Sequence, residues 1–274
     1  MTYMTDQDPA PIGIDASTPN VARIYDYLLG GKDNFGADRE AARQLLDAIP
    51  DAGAIARDNR SFLGRVIRYL ATEGGIRQFL DLGCGLPTQA NVHQLTQGVL
   101  GSGPGAHVVY VDNDPMVASH GEALLASSDQ VAMVLSDLRQ PAALLAHPEV
   151  GRLLDLSQPV AVLCTGTLHF IADEAGPGSI LAAYRDHMVS GSYLVITHAI
   201  ETEELTKERW DAEDVYRQAS SQLHVRPLAD VLRFFDGFEL VEPGFPWMAE
   251  WRPEPGTAPI GRLHSMRGGV GRKP

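Results

Sequence analysis

One segment joins a short apolar run to a turn with two glycines: QFLDLGCGLPT, residues 78–88. The run is predominantly apolar, which is typical of a strand that other elements cover on both faces. Gly83 and Gly85 allow the backbone to turn tightly and to approach a ligand without a Cβ clash. Ligands of open α/β sheets bind beyond the carboxyl ends of the strands, so this turn is the first candidate for a binding site.

Similar apolar runs recur along the chain, separated by stretches of helical periodicity. This alternation predicts right-handed crossovers and a doubly wound, mostly parallel sheet, which is a Rossmann-like α/β fold. Near the carboxyl terminus, Phe238–Val241 and a run around Trp247–Trp251 leave no room for a crossover helix, and they predict an antiparallel hairpin at the sheet edge. The other runs of the seven-stranded sheet are Gln78–Leu82, His107–Val111, Gln130–Leu135, Val160–Cys164 and Tyr193–Thr197.

Acidic residues stand at the ends of the first three predicted strands. A carboxylate at Asp81 would repel a diphosphate but can hold a cationic amine. Asp112 can accept hydrogen bonds from both hydroxyls of a ribose, and Asp137 can accept one from an adenine amino group while Leu138 packs on the ring. Thr88 occupies the place where a dinucleotide loop has its third glycine. The pattern favours a ligand with an ammonium and a ribose, such as S-adenosyl-L-methionine, over NAD.

The predicted cofactor contacts include the turn itself and a position after the fourth strand, next to the expected place of methyl transfer. For Asp112 and for Asp114 the alternative is a helix-capping role without ligand contact. The full set of predicted cofactor-binding residues is Asp81, Gly83, Cys84, Gly85, Asp112, Asn113, Asp137, Leu138 and Thr165.

Charge and composition restrict the partners. The 274 residues carry 22 Lys and Arg against 35 Asp and Glu, a formal net charge of −13, so no nucleic-acid partner is expected. The amino terminus is acidic, unlike a signal peptide, and no apolar stretch reaches the roughly 18–20 residues that span a bilayer. We expect a cytoplasmic protein without a membrane partner. Two cysteines do not form a disulfide framework, and no compact set of metal ligands is apparent.

Composition and periodicity along the sequence divide the chain into four parts. Residues 1–19 are rich in proline and are expected to form a flexible arm. Residues 20–75 contain three helical stretches, the first capped by Asn20, and form a predicted N-terminal helical lid. Residues 76–252 form the α/β domain. Residues 253–274 are rich in arginine and glycine and are expected to be a basic tail exposed to solvent.

Several longer strings resemble one family, the actinobacterial S-adenosylmethionine-dependent methyltransferases first catalogued as a domain of unknown function. The resemblance extends from about residue 20 to residue 273. It implies a class I methyltransferase sheet with an N-terminal helical lid, and it implies cofactor roles for Asp81, Gly83, Gly85, Asp112 and Asp137. It does not indicate the methyl acceptor. The matching strings are ARIYDYLLGGKDNF (22–35), RDNRSFL (57–63), IRQFLDLGCGLPT (76–88), NVH (91–93), LHF (168–170) and GSYL (191–194).

The acceptor side of the site is predicted from two regions. The polar and aromatic segment around Gly30 and Gly31 is interpreted as a hinged lid or acceptor pocket, and the alternative is a surface helix with packed tyrosines. His169 and His198 follow the fourth and fifth strands and are candidates for a general base or an orienting group; the alternative is a hydrogen-bonded structural histidine. Candidate acceptor-binding residues are Tyr25, Tyr27, Lys32, Asn34, Phe35 and His169.

The predicted function is therefore in-line transfer of a methyl group from S-adenosylmethionine to a small-molecule acceptor. Two alternatives stay open, a non-catalytic regulatory protein that binds S-adenosylmethionine and, less favoured, an NAD-dependent oxidoreductase. One residue among Arg57, Asn59 and Arg60 can reach the cofactor carboxylate, although a solvated helix face is the preferred interpretation for all three.

Overall fold

The computed structural model describes residues 14–87, 91–101, 105–125, 128–202, 206–254 and 266–274. Residues 1–13 of the predicted arm and Thr88 lie outside these ranges. The strands are β1 (Gln78–Leu82), β2 (His107–Asp112), β3 (Val131–Leu135), β4 (Ala161–Thr165), β5 (Tyr193–Ala199), β6 (Glu239–Leu240) and β7 (Met266–Arg272).

Helices precede the first strand and connect the later ones. The first begins at Val21, where the Asn20 side chain accepts hydrogen bonds from the backbone amides of Ala22 and Arg23, as the predicted cap requires. Within the described part of the chain, no helix combines the length and the apolarity that a membrane crossing requires. The helices are α1 (Val21–Leu28), α2 (Gly36–Ala48), α3 (Ala52–Thr72), α4 (Val92–Leu100), α5 (Pro115–Leu125), α6 (Pro141–Leu145), α7 (Pro148–Leu153), α8 (Pro177–Asp186), α9 (Thr206–Arg217) and α10 (Leu228–Leu232).

The strands form a seven-stranded sheet in the order β3-β2-β1-β4-β5-β7-β6. Strands β1 to β5 are parallel, and β7 pairs antiparallel with both β5 and β6. The chain moves outward from β1 in one direction and then returns to β4 on its other side. This reversal leaves a crevice at the carboxyl ends of β1 and β4, where open α/β sheets bind ligands. The predicted fold is confirmed.

Apolar layers cover both faces of the sheet. On one face Phe79 of β1 packs with Phe62 and Ile67 of α3. On the other face Leu80 and Leu82 pack toward helices α6, α7, α8 and α10. These β1 side chains and those of α3 are at most 1% exposed, and each such burial contributes roughly 1.5–3 kcal/mol. Alternate residues of β1 thus serve opposite layers, which explains the predominantly apolar run.

The structure corrects the prediction for the carboxyl-terminal part. The strand expected around Trp247–Trp251 is a short 3₁₀ helix, Met248–Glu250, and β6 pairs instead with β7. Residues 266–272 are therefore not a solvated tail but an interior strand of the sheet. Their glycines mark close packing, because a Cβ at Gly268, Gly269 or Gly271 would lie 2.7–2.8 Å from the ring of Phe62, Phe245 or Phe235, respectively. A strand built around aromatic rings in this way has no apolar run for sequence reasoning to detect.

The predicted lid, residues 20–75, is not one unit. The second half of α3 belongs to the apolar layer of the sheet, so the expected boundary at 75/76 does not separate two parts. Helices α1 and α2 instead pack with α9 around a small apolar cluster that includes Ile24, Leu45 and Tyr216. We call α1, α2 and α9 the roof, since they cover the carboxyl ends of the strands.

The packing of β7 predicts that Gly271→Ala destabilises the protein. The added Cβ would meet the Phe235 ring and Phe238 Cβ, and overpacking of this kind costs about 1–3 kcal/mol. The matched control is Gly98→Ala at an exposed position of α4, where nothing lies within 4 Å of the new Cβ and helix propensity adds about 0.5–1 kcal/mol. Urea denaturation of both variants measures the two free energies of unfolding. Equal stability of the two variants would contradict the close packing of β7.

Candidate functional site

A cavity of about 710 Å³ lies between the carboxyl ends of the strands and the roof. Sites for small molecules occupy about 300–1,000 Å³, so the cavity has the size of such a site. Every residue predicted to contact the cofactor lines it, from Asp81 on β1 to Leu138 after β3 and Thr165 on β4. Whether these residues touch a bound cofactor stays a prediction.

Three carboxylates are arranged in sequence along the sheet. Asp81 belongs to β1, Asp112 to β2, and Asp137 follows β3, which are adjacent strands. Neighbouring strands lie about 4.8 Å apart, so β1 and β3 are separated by roughly 10 Å across the sheet, and Asp137 also lies further along the strand direction than Asp81. An elongated ligand lying across the strand ends can therefore meet all three acids with successive groups.

Asp81 is the most deeply buried of these acids facing the crevice. Only 5% of the residue is exposed, and this burial raises the pKa of its carboxyl to about 7. The positive charge of Arg60 on α3 acts in the opposite direction, and the nearby Asp112 carboxylate raises the pKa further. Near neutral pH the side chain is poised between its charged and uncharged forms, so a cation placed beside it would favour the carboxylate.

The glycines of the turn after β1 have different roles. Both adopt positive φ angles, 72° at Gly83 and 67° at Gly85. A Cβ at Gly83 would lie 2.4 Å from Cγ2 of Thr167, so this glycine permits close packing against the loop after β4. Nothing lies within 4 Å of the Cβ position of Gly85, which lines the cavity. Gly85 is thus the position where the backbone remains open to a ligand.

The Asp112 carboxylate is fixed by backbone donors and is not the cap of α5. Its Oδ2 accepts a hydrogen bond from the Gly85 amide at 2.9 Å, and its Oδ1 accepts one from the Asp114 amide at 3.0 Å. The cap is Asp114, whose Oδ1 accepts from the amide of Met116 at 2.6 Å. Burial raises the pKa of Asp112, while these amides favour the charged form. Each oxygen keeps capacity to accept another hydrogen bond.

The environment of Asp137 differs from the one that the sequence predicted. Its carboxylate accepts hydrogen bonds from the backbone amide and the guanidinium of Arg139, which hold its pKa below the usual value. Asp137 is therefore already paired at the rim of the cavity. Leu138 beside it lines the cavity, and its carbonyl accepts a hydrogen bond from the Tyr184 hydroxyl at 2.8 Å.

A chain of hydrogen bonds links the roof to the strands on the β4 side. The Gly166 amide donates to the Thr197 hydroxyl at 2.7 Å, and this hydroxyl donates to Oδ1 of Asn59 at 2.8 Å. The Asn59 amide donates to the Tyr25 hydroxyl at 3.1 Å, which in turn donates to the Ala56 carbonyl at 3.0 Å. Tyr25 lines the cavity and its hydroxyl is fixed by this chain, while its contact with an acceptor stays a prediction.

His169 lines the cavity and is 5% exposed. Its Nδ1 is buried and has no hydrogen-bond partner in the described structure. Burial lowers its pKa well below the usual value, and the neighbouring His198, Arg226 and His224 lower it further. The imidazole is therefore neutral at physiological pH. Its lowered pKa makes it a weak base, so it is better suited to orient an acceptor by a hydrogen bond than to remove a proton from it.

The structure does not support His198 as a catalytic residue. It is fully buried and does not line the cavity. Its Nε2 accepts from the Arg226 guanidinium at 3.0 Å, which leaves Nδ1 to donate to the Ala199 carbonyl at 2.7 Å. Burial lowers the pKa of His198 to about 4. The ring helps to hold Arg226, which also pairs with Asp173 at 2.7 Å and stabilises the loop that carries His169.

Four of the predicted acceptor-binding residues do not line the cavity: Tyr27, Lys32, Asn34 and Phe35. Asn34 is buried and donates to the Asp26 carboxylate at 2.8 Å. Phe35 packs against Leu86 of the glycine turn and lies under the guanidinium of Arg23. Asn34 therefore holds the α1–α2 loop together and Phe35 anchors it to the α/β domain, structural roles that give the same density of polar and aromatic residues as a binding site.

The cavity also has apolar walls outside the set of predicted acceptor-binding residues. An apolar region lies on the β4 side of the cavity. It is formed by residues of α2 and its end, of the loop after β4 and of α9: Leu45, Ile49, Phe170, Ala212 and Tyr216. The rings of Phe170 and Tyr216 lie 5.1 Å apart. The sequence of each roof helix shows an apolar stripe, but such a stripe is the same whether the helix face lines a cavity or packs in the core. Among the described residues, no group of three His, Cys, Asp or Glu side chains could hold a metal ion.

Comparisons with known proteins agree with this geometry. A sequence profile of the S-adenosyl methyltransferase family matches residues 7–274. A solved structure of a candidate methyltransferase from Thermobifida fusca is 41% identical, with a TM-score of 0.89, and the alignment covers 96% of this chain and 98% of that one. A DUF574 family protein from Streptomyces avermitilis is 37% identical, with a TM-score of 0.87 and coverage of 95% and 99%.

Among the curated proteins none matches the chain. The family assignment sets aside the NAD-dependent oxidoreductase and favours catalysis over a purely regulatory role. It confirms the cofactor class that the strand-end acids predicted and the resemblance to the actinobacterial family. The chain belongs to the S-adenosyl methyltransferase family and is an S-adenosylmethionine-dependent methyltransferase.

Proposed function

We propose that the enzyme methylates a small, largely apolar molecule held under the roof. The observation that carries this proposal is the shape of one continuous cavity, which has acids along β1, β2 and β3 and apolar walls on the β4 side. A pocket covered by three roof helices suits a small molecule better than a large polymer. The net charge of −13 gives no support to a nucleic-acid acceptor.

The residues of the acidic side fit the cofactor. Asp81 would hold its ammonium, Asp112 its ribose hydroxyls, and Leu138 with Asp137 its adenine. The open Cβ position of Gly85 lets the backbone approach the ligand. The order of the strands supports this assignment, since it places a candidate cation site, a hydroxyl site and an apolar surface in succession.

Bound S-adenosylmethionine supplies an activated methyl group on a sulfonium sulfur, so the protein chiefly needs to orient a nucleophile in line with it. Phe170 and Tyr216 would hold the apolar body of the acceptor, and neutral His169 would accept or donate one hydrogen bond to its polar group. The roof excludes water from the reacting atoms. Tyr25, fixed through Asn59, sets the position of α1 above them.

Methyl-labelled S-adenosylmethionine tests the proposal directly. The enzyme is incubated with the separated small-molecule, protein and nucleic-acid fractions of an actinobacterial extract, and label is expected only in the small-molecule fraction. Ile49→Trp is designed to fill the apolar side of the cavity and should reduce transfer at least about tenfold, an effect of about 1.4 kcal/mol. Its affinity for S-adenosylhomocysteine should stay within about twofold of the wild type. Label in a macromolecular fraction would refute the small-molecule acceptor.

The fixed carboxylate of Asp112 predicts a second result. Asp112→Ala removes a charged acceptor of hydrogen bonds, and S-adenosylhomocysteine should bind about 1–3 kcal/mol more weakly in calorimetric titration. The control is Asp114→Asn, which removes a neighbouring charge but keeps the oxygen that caps α5. If both variants lose the same affinity, the effect is one of general charge and Asp112 does not contact the ribose.

The raised pKa of Asp81 predicts that cofactor binding depends on pH. Below its pKa of about 7 the free carboxyl is mostly protonated, and an incoming ammonium has to displace that proton. Affinity for S-adenosylhomocysteine should therefore rise with pH, by at most about tenfold per unit, and level off above pH 7. The ligand's own amino group stays protonated over most of this range.

Two controls isolate this effect, measured by calorimetry from pH 5.5 to 7.5. Asp81→Asn should bind S-adenosylhomocysteine weakly and with little pH dependence. Wild-type protein should bind 5′-methylthioadenosine, which lacks the ammonium, with equally little dependence. A slope that persists in Asp81→Asn would assign the titration to another group.

A further inference from the structure

We propose that Arg60 binds the carboxylate of the cofactor's amino-acid end, opposite the ammonium held by Asp81. The inference rests on the proposed placement of S-adenosylmethionine along the strand ends. It replaces the interpretation of Arg57, Asn59 and Arg60 as a solvated helix face, and it brings a residue from outside the α/β sheet into the cofactor site.

The first half of α3 presents one continuous stripe to the cavity: Ala52, Ile55, Ala56, Asn59 and Arg60. The spacing of three and four residues places these side chains on one face of the helix. Arg57 points elsewhere, since it is exposed and does not line the cavity.

Arg60 is the last member of this stripe before α3 joins the sheet layer. One turn later, the Cβ position of Gly64 lies 3.9 Å from Leu95 of α4, the helix that follows the glycine turn. Phe62 and Leu63, between these two positions, are already buried in the layer that covers β1. The backbone of α3 therefore brings Arg60 to the cavity close to the turn after β1.

Charge distinguishes Arg60 from the rest of the cavity lining. Among the described lining residues, only Arg60 and Arg139 carry the cationic side chain of an arginine or lysine. Arg139 is held by Asp137 after β3, and β3 lies two strand spacings, roughly 10 Å, from β1 across the sheet. The charge of Arg60 instead acts on Asp81, Cys84 and Tyr25, which places it at the β1 end of the cavity.

A cation and an anion side by side match the chemistry of an α-amino acid. The amino-acid end of the cofactor carries an ammonium and a carboxylate on the same carbon. Asp81 attracts the first group, and the planar guanidinium of Arg60 can donate two hydrogen bonds to the second. Without Arg60 the β1 end would present two acids, Asp81 and Asp112, to a ligand that also bears a negative charge.

The test compares two ligands by calorimetric titration at pH 8: S-adenosylhomocysteine and its analogue in which hydrogen replaces the carboxylate. Wild-type protein should bind S-adenosylhomocysteine more tightly. Arg60→Gln should weaken S-adenosylhomocysteine about 10- to 100-fold, the range for a hydrogen bond to a charged group. The same variant should bind the decarboxylated analogue as well as the wild type does, or better, because a positive charge near its ammonium has been removed.

Two further variants make the result decisive. Arg57→Gln removes a charge one turn away on the exposed face of α3 and should change neither affinity. Arg60→Lys keeps the charge but loses the paired donors, so its affinity for S-adenosylhomocysteine should be intermediate; it also gives the answer if Arg60→Gln does not fold. Equal weakening of both ligands, or no effect on either, would overturn the role of Arg60. Failure of the wild type to bind either ligand would instead refute the cofactor site itself.

Discussion

The burial of the Asp81 carboxyl at the end of the central strand is the constraint around which the site is arranged. An ionised acid in an apolar environment is unfavourable, so its surroundings must supply positive charge or the group takes up a proton. The Asp112 carboxylate on the next strand makes ionisation of Asp81 still less favourable, and the positive charge of Arg60 on α3 only partly compensates for this effect. The lining of the cavity itself therefore favours a cation beside Asp81.

The helix α3 serves the sheet and the cavity at once. Its second half packs Phe62 and Ile67 against the strands, and its first half presents Asn59 and Arg60 to the ligand space. Because a helix is rigid over this length, packing of one half fixes the position of the other. Asn59 then transmits that position to Tyr25 and so to the roof. The acceptor side and the cofactor side are aligned by one element.

The strands that flank the site could be predicted because parallel strands buried on both faces need apolar runs, and the acids at their ends stand out against those runs. The strand β7 could not, since the rings of Phe62 and Phe235 require glycine where an apolar side chain would have been the signal. Asn34 and Phe35 show the opposite error, in which residues with a structural role were predicted to bind the acceptor. A loop anchored by buried hydrogen bonds and a ring has the same composition as a binding segment, and only the fold shows which way the side chains face.

The position of β7 between β5 and β6 has a consequence for the order of folding. Strand β6 precedes β7 in the chain but meets the sheet only through it, so neither can join until residues 266–272 return to β5. Helix α9 lies between β5 and β7 in the chain, within a long segment whose two ends come together only when β7 docks on β5. Non-local contacts of this kind form slowly, and until then β5 is an unpaired edge open to association with other chains. Substitutions that delay β7 would therefore lower the yield of folded protein through aggregation, even where they leave the finished site intact.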